Sequence, residues 1–250
     1  MHSVQKSNLT NSKGTRFMGA LLLLGIPTLV IFAFFLSPED DNMKDAVRLL
    51  YIHVPMAIFA YVAVIMTGIG SVFYLWKKSR WWDTVAHASA EIGLIFCGLV
   101  LITGSIWGRP TWNTWWEWGD VRLMTTLILF LMLLGYLALR RVAPDGQKQA
   151  RRSAIVAIVA AINLPIINRS VEWWESRTLH QKSTLSELKI EDLTFFTLMM
   201  GIVVFLMLFT WLVLHRFRLG WLEKESLEQD VLTSIEERRS EATVNEEGTL

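Results

Sequence analysis

Cysteine is nearly absent from this chain of 250 residues, which contains only Cys97. A single thiol cannot form an internal disulfide, and it cannot supply a C-x-x-C redox pair or a C-x-x-C-H haem attachment. The sequence also has no match to G-x-x-x-x-G-K-[ST], the motif that binds a nucleotide phosphate in a P-loop. The chain is therefore neither a dithiol oxidoreductase nor a P-loop NTPase.

Six long apolar blocks contain no Lys, Arg, Asp or Glu apart from Glu91. The blocks span residues 17–36, 51–76, 84–106, 123–139, 153–168 and 193–214. A helix needs about 20 apolar residues to cross the hydrocarbon core of a bilayer, within a range of roughly 17–25. The fourth block is marginal and the fifth is short, so the fifth depends on its flanks or on partner helices. We predict an all-α integral membrane protein with six transmembrane helices.

Lys and Arg are distributed unevenly between the segments that join the blocks. Sixteen of the 24 basic residues lie in one alternating set, formed by residues 1–16, 77–83, 140–152 and 215–250. The other set holds eight basic and eleven acidic residues, in segments 37–50, 107–122 and 169–192. Because cytoplasmic loops carry the excess of Lys and Arg, both termini are expected in the cytoplasm and the second set on the outer face.

This pattern predicts three parts. Residues 1–16 form a cytoplasmic N-terminus, and residues 17–214 form a membrane domain with two informative outer loops, 107–122 and 169–192. Residues 215–250 form a charged and partly helical cytoplasmic tail, with disorder expected in its final SEATVNEEGTL.

Tryptophan is abundant, and five of the twelve residues fall within WGRPTWNTWWEWGD, residues 107–120. An interfacial aromatic belt explains scattered residues such as Trp81 and Trp82. It does not explain five indoles in one loop, and three of them would share a face if the loop were helical, namely Trp112, Trp115 and Trp116. We interpret the five as an aromatic platform for a ligand: Trp107, Trp112, Trp115, Trp116 and Trp118.

Two histidines share the predicted outer face with this platform. His53, in YIHVPMA, begins the second block, and His180, in RTLHQKST, lies in the last outer loop. One interfacial histidine is usually structural, but two that bracket an aromatic platform indicate a metal-centred ligand. His87 lies one turn before Glu91 at the inner end of the third block, where the two are expected to share a hydrogen bond.

A flat macrocycle with a central metal and carboxylates at its rim fits this combination. In haem, imidazoles bind the iron axially, indoles pack against the porphyrin, and arginines pair with the propionates. Arg109 and Arg122 stand at the two ends of the tryptophan segment. The predicted cofactor is therefore haem b, and no enzymatic activity is predicted. A carbonyl, Glu172 or Glu175 is the expected acceptor for the second N–H of an imidazole.

Three motifs carry a resemblance to a known family. WGRPTWNTWWEWGDVRL resembles the tryptophan-rich WWD signature of haem-handling membrane proteins. Together with YIHVPMA, NLPIINRSVEWWESRTLHQKST and the six-helix frame of residues 17–214, it resembles the haem exporter protein C family of the system I cytochrome c maturation pathway.

The resemblance implies a subunit that presents haem on the outer face to a haem chaperone. It implies an ABC ATPase, an ABC permease and a small single-helix subunit as partners, besides membrane lipid and with no nucleic acid. The implied location is the bacterial inner membrane with the haem site towards the periplasm, or, as a second choice, the mitochondrial inner membrane.

The resemblance also assigns residues. His53 and His180 match the axial ligands, and the tryptophans from Trp107 to Trp118 match the signature. Asp120 and Arg122 follow the signature, but this sequence departs from the usual W-x-W-D because Gly119 intervenes. The inserted Gly119 shifts Asp120 and Arg122 by one position relative to the usual family pattern.

Two other functions are considered from the residues. A membrane b-type cytochrome or quinone-linked electron carrier needs paired histidines inside the bilayer, and His87 is the one mid-chain candidate. A haem permease needs a polar path across the membrane, for which Asn163 and Glu91 are the candidates.

Overall fold

The computed structural model describes residues 12–40, 43–142, 146–180 and 192–247. Six long helices dominate these ranges, and no β-strand occurs in them. They are α1 (Lys13–Ile31), α2 (Leu50–Lys77), α3 (Arg80–Trp112), α4 (Val121–Val142), α5 (Gly146–Trp173) and α6 (Asp192–Glu247). A π-helical turn, Phe32–Leu36, extends α1, and two 3₁₀ turns, Asp45–Leu49 and Glu175–Arg177, precede α2 and follow α5.

The six helices confirm the predicted fold class. Each is long and apolar enough to cross a membrane. The short fifth block is the centre of a helix of 28 residues, which extends into QKQARR at its beginning and SVEW at its end. The fourth block extends to 22 residues. Charged flanks therefore lengthen both helices beyond their apolar centres.

The last helix runs farther than the sequence pattern predicted. α6 has 56 residues, about 84 Å at 1.5 Å per residue, whereas a hydrocarbon core is about 30 Å thick. Its second half therefore continues past the spanning part. The predicted disorder of SEATVNEEGTL is wrong as far as Glu247, and the last three residues lie outside the described ranges.

Small residues let the helices pack closely. α2 packs against α3 and α5, and α4 against α3 and α5, while α1 lies mainly along α6. A Cβ added at Gly68 of α2 would stand 2.7 Å from the Cβ of Ala161 in α5, and one at Gly201 of α6 would stand 2.7 Å from the carbonyl oxygen of Tyr51. Interfaces between membrane helices are typically built from such residues. Many outward side chains are large and apolar, as expected where lipid surrounds the bundle.

The bundle has two chemically different ends. We call the end that holds residues 107–122 the tryptophan end. It contains the last residues of α1, α3 and α5 and the first residues of α2, α4 and α6, and Ser37 and Thr197 share a buried 3.0 Å hydrogen bond there. The opposite end, where Asp83, Glu91 and their partners lie, is the charged end.

Candidate functional site

Helix α3 carries the first part of the tryptophan segment. The helix continues through Trp107 to Trp112 and ends at Asn113, whose φ of 57° is left-handed. Arg109 stabilises this end, since its Nη1 donates to the carbonyl oxygen of Asn113 at 2.7 Å and to its Oδ1 at 2.9 Å. Because the helix ends before Trp115, the single helical face predicted for Trp112, Trp115 and Trp116 does not form. Trp107 belongs to α3 and not to the loop.

His53, in the first turn of α2, packs against α3. Its Nδ1 lies 2.8 Å from Oγ1 of Thr103, and its ring meets that of Trp107 edge-on with 5.6 Å between centroids. The hydroxyl of Thr103 donates to the carbonyl oxygen of Leu99 at 2.8 Å. With its one O–H group directed at Leu99, Thr103 would accept from His53, and Nδ1 of His53 would then carry the proton.

Gly104 makes this approach of α2 and α3 possible. A Cβ added at Gly104 would stand 3.2 Å from Cε1 of His53 and 3.9 Å from its Nδ1. Few real Cβ atoms lie so close to a neighbour, so any side chain here would push on the imidazole. The position of the His53 ring therefore depends on residue 104 being a glycine.

His180 is held by Asp120. Its Nδ1 lies 3.3 Å from Oδ2 of Asp120, and its ring packs against Trp112 with 4.7 Å between centroids. A carboxylate only accepts hydrogen bonds, so Nδ1 of His180 is also the protonated nitrogen. In a neutral imidazole whose proton is on Nδ1, Nε2 carries the free lone pair that binds a metal.

Asp120 is almost completely buried, with 1% of its surface exposed. Oδ1 accepts the backbone N–H of Leu123 at 2.8 Å, which caps the start of α4, and Oδ2 accepts the backbone N–H of Leu179 at 2.6 Å and the hydroxyl of Thr178 at 3.1 Å. Burial alone would raise the pKa of Asp120, but the hydrogen bonds from His180, Leu123 and Leu179 outweigh it and hold the pKa well below its usual range. Asp120 therefore joins the end of the tryptophan segment to the histidine loop as an anion.

The Gly119 departure does not remove Asp120 from this arrangement. Residues 117–120 form a turn in which the N–H of Gly119 donates to Oε1 of Glu117 and the N–H of Asp120 donates to the carbonyl oxygen of Glu117, both at 3.1 Å. Arg122, in the first turn of α4, donates from Nη2 to the carbonyl oxygen of Asn168 at 3.3 Å. Arg122 thus faces α5, and none of the contacts described for it is with His53 or His180.

The five tryptophans divide into two groups. Trp107 and Trp112 each contact one of the two histidines, and Trp116 is half-buried. Trp115 and Trp118 are 59% and 71% exposed. Among the described residues, the buried indole N–H groups of Trp107 and Trp116 have no hydrogen-bond partner. A buried donor needs an acceptor, so these two positions can take one from a bound molecule.

An open cleft of about 480 Å³ lies beside this group, between the end of α3 and the segment before α2. Trp115, Arg109 and Arg48 are among its lining residues, and neither histidine is. The cleft therefore adjoins the histidine pair without containing it.

The charged end holds two of the residues considered for other functions, His87 and Glu91, whereas Asn163 lies nearer the tryptophan end. Glu91 pairs with Arg216 of α6 through Nε and Nη2, and Nε2 of His87 lies 3.4 Å from Oε1 of Glu91. The two side chains are therefore in contact, but the hydrogen bond expected between them is not among those formed by the described residues. Asn163 is buried in α5, where its Nδ2 donates to the carbonyl oxygen of Thr125 at 2.9 Å.

Sequence reasoning missed three residues that determine the geometry, Thr103, Gly104 and Arg216, and it did not identify Asp120 as the partner of His180. Thr103 and Asp120 accept from the histidines, where Glu172 and Glu175 were the expected acceptors; Glu172 pairs with Arg169 at 2.6 Å instead. Arg216 is the main partner of Glu91, and Gly104 makes room for His53. The position of Asp120 just before an apolar helical block is a recognisable N-cap signal, but contacts between different helices left no signal in the linear pattern.

The chain is similar to known proteins over most of its length. The model of a family described as heme exporter protein C matches residues 4–232. Relatives named heme exporter protein C come from Bradyrhizobium diazoefficiens (40% identical, covering 68% of this chain and 67% of the relative), Haemophilus influenzae (35%, covering 82% and 83%) and Escherichia coli K12 (35%, covering 75% and 76%).

Proposed function

Because this chain belongs to the heme exporter protein C family, we propose that it binds haem at the tryptophan end and presents it there to a haem chaperone during c-type cytochrome maturation. His53 and His180 bind the iron from opposite faces. The tryptophans from Trp107 to Trp118 pack around the ring, and Asp120 and Arg122 support the site. The bound group is non-covalent haem b, and the chain acts as a binding and transfer subunit without catalysing a bond change itself.

The contacts of the two histidines are the observation that carries this proposal. Nδ1 of His53 lies 2.8 Å from Oγ1 of Thr103 and Nδ1 of His180 lies 3.3 Å from Oδ2 of Asp120, so each neutral ring can keep Nε2 for a metal. The two histidines contact indoles of the same helix, since His53 packs on Trp107 and His180 on Trp112. Two imidazoles that can bind a metal, both packed against the indoles of one helix, are the arrangement expected for haem with histidine ligands.

The other potential ligand groups around the two histidines fit haem better than a bare metal ion. Within the described ranges, no group of three or more His, Cys, Asp or Glu side chains is arranged to hold a metal. A porphyrin supplies four of the six bonds to its iron, so two histidines complete the set. The buried N–H groups of Trp107 and Trp116 need acceptors, and haem brings two propionates.

The contacts of His87, Glu91 and Asn163 weigh against the two other functions. An electron carrier would use His87 as an iron ligand, but Nε2 of His87 faces Glu91. A permease would use Glu91 and Asn163 as part of a polar path, but Glu91 is paired with Arg216 and Asn163 is bonded to the backbone of α4. These residues join helices to one another.

Visible spectra of the purified protein test the proposal. Haem-loaded protein should give the six-coordinate spectrum of a bis-imidazole iron. His53→Ala and His180→Ala should each lose this spectrum, because one axial position opens, and added imidazole should partly restore it. His87→Ala is the matched control and should keep it. If both outer variants keep the wild-type spectrum and the control loses it, the electron-carrier function is correct.

The proposed orientation places the tryptophan end in the periplasm and both termini in the cytoplasm of a bacterial inner membrane. The excess of Lys and Arg at the charged end supports it. An ABC ATPase, its permease and a small single-helix subunit are the proposed membrane partners.

Thiol labelling of intact cells tests this orientation. In a Cys97→Ser background, Glu117→Cys should react with an impermeant thiol reagent, and Glu225→Cys, at the other end, should not. The reverse pattern would contradict the orientation.

A further inference from the structure

The two histidines are held by acceptors of different charge. Nδ1 of His180 lies against a buried carboxylate, whereas Nδ1 of His53 lies against a neutral hydroxyl. Both would be equivalent ligands if only the imidazole mattered. A charged acceptor on the far nitrogen makes an imidazole more basic and a stronger metal donor than a neutral acceptor does.

We infer that Asp120 is a positioning residue that makes His180 the stronger iron ligand, and that His53 is the ligand exchanged when haem leaves. The inference rests on the proposed function, because it assumes that both histidines bind iron. It adds an order of events that the identity of the ligands does not provide.

The surroundings of Asp120 hold His180 in place. The same Oδ2 that accepts from His180 also accepts the N–H of Leu179 and the hydroxyl of Thr178. The backbone N–H of His180 in turn donates to Oγ1 of Thr178 at 3.2 Å. Three consecutive residues are therefore bonded directly to one carboxylate that is itself fixed at the start of α4, so the imidazole is oriented before iron arrives.

The surroundings of His53 are weaker. The hydroxyl of Thr103 already donates to the carbonyl oxygen of Leu99, with the carbonyl of Val100 at 3.3 Å. It offers His53 a neutral acceptor. The His53 bond to iron is consequently the easier one to break, and a ligand supplied by an acceptor protein would take that position first.

Haem retention by single-histidine variants tests the inference. Loaded protein in detergent is mixed with excess apomyoglobin, which captures released haem, and the release rate is read from the visible spectrum. His53→Ala, which keeps His180 and Asp120, should release haem about tenfold more slowly than His180→Ala, the lower end of the effect of such outer partners. Adding Asp120→Asn to each variant should remove most of that difference.

The reduction potential of the bound haem is a second measurement. It separates a change in the charge beside His180 from a simple loss of packing. Asp120→Asn should raise the potential of the bound haem, because His180 loses its anionic acceptor, and asparagine still caps α4. Thr103→Val should change it less. Thr126→Val in α4 is the control, since its hydroxyl donates to the carbonyl oxygen of Arg122 and not to Asp120 or a histidine, and it should leave the potential unchanged.

Two results would overturn the inference while leaving the proposed function intact. One is a His180→Ala variant that keeps haem as long as His53→Ala does, a comparison that needs no change at Asp120. The other is a potential that shifts equally in Asp120→Asn and Thr126→Val. By contrast, a wild-type spectrum that neither histidine variant disturbs would contradict the proposed function itself.

Discussion

The two ends of the bundle bury polar groups in opposite ways. At the charged end, Asp83 receives two hydrogen bonds from Arg140, at 2.7 and 2.8 Å, and one from Lys224 at 2.6 Å. At the tryptophan end, the indole N–H groups of Trp107 and Trp116 lack acceptors among the described residues, and Nδ1 is the imidazole nitrogen that contacts a protein oxygen in both His53 and His180.

This difference indicates that the cluster around Asp83 is structural and that the tryptophan end is a candidate binding site. Buried charges are tolerated where each finds its partner inside the protein, and the cluster around Asp83 then connects α3, α4 and α6. Groups that remain incompletely paired can bind something that the protein does not contain. Buried atoms without a partner among the described residues also occur at the charged end, namely Nε of Arg80 and the hydroxyls of Ser71 and Ser89. The distinguishing feature of the tryptophan end is therefore that its unpaired groups include two indole N–H donors of the tryptophan segment.

Asp83→Ala should have the largest effect on stability and none on haem binding. It leaves Arg140 and Lys224 buried without their carboxylate, which costs about 3–5 kcal/mol. The midpoint of heat unfolding in detergent should fall clearly, while haem per folded molecule stays constant. Glu228→Ala is the control, because its ion pair with Arg80 is exposed and contributes at most about 1 kcal/mol. A loss of haem without a loss of stability would remove the distinction between the ends.

Trp107→Leu and Trp112→Leu should produce the reverse pattern, with normal stability and weaker haem binding. Each indole contacts one of the two histidines, and an aromatic contact contributes about 0.5–1.5 kcal/mol, so the affinity should fall several-fold for each change and further for both. Trp81→Leu and Trp82→Leu, at the charged end, are the matched controls. Membrane abundance that falls with unchanged haem content would indicate that these tryptophans are membrane anchors.

Gly104→Ala should have an intermediate effect at the tryptophan end. The new methyl group would meet Cε1 of His53 at 3.2 Å and tilt the ring, so the axial-ligand bands should shift and haem should be lost about twofold to threefold faster, for a cost near 0.5 kcal/mol. Gly135→Ala in α4 is the control, since nothing lies within 4 Å of its added Cβ. Identical spectra for both variants would mean that the His53 ring is free to move.

Trp115→Leu and Trp118→Leu should have the smallest effect on haem content. Their indoles are mostly exposed, so a leucine there removes less contact with any ligand at the two histidines than it does at Trp107 or Trp112. Haem titration of the four single variants should rank them in that order. Equal losses at all four positions would favour one continuous platform over the division into two groups.

Much of this protein followed from patterns within single segments. Apolar blocks predicted six membrane helices, because helix length in a bilayer is fixed by its thickness, and the structure confirms them. Three motifs gave the family, which the comparisons confirm. The assignment of His53, His180 and the tryptophans to haem remains a prediction. The end of α6 was wrong because charged composition was interpreted as disorder, although its residues include many good helix formers.

The tertiary structure alone decided which groups face each other. Nothing in the linear order links His180 with Asp120, which lies 60 residues away, or His53 with Thr103, 50 residues away. Arg216 reaches Glu91 over 125 residues. A sequence determines where a helix begins and how apolar it is, because those properties depend on neighbours within a few turns. The sequence does not show which faces of two helices pack together, and the hydrogen-bond partner of each histidine depends on that packing.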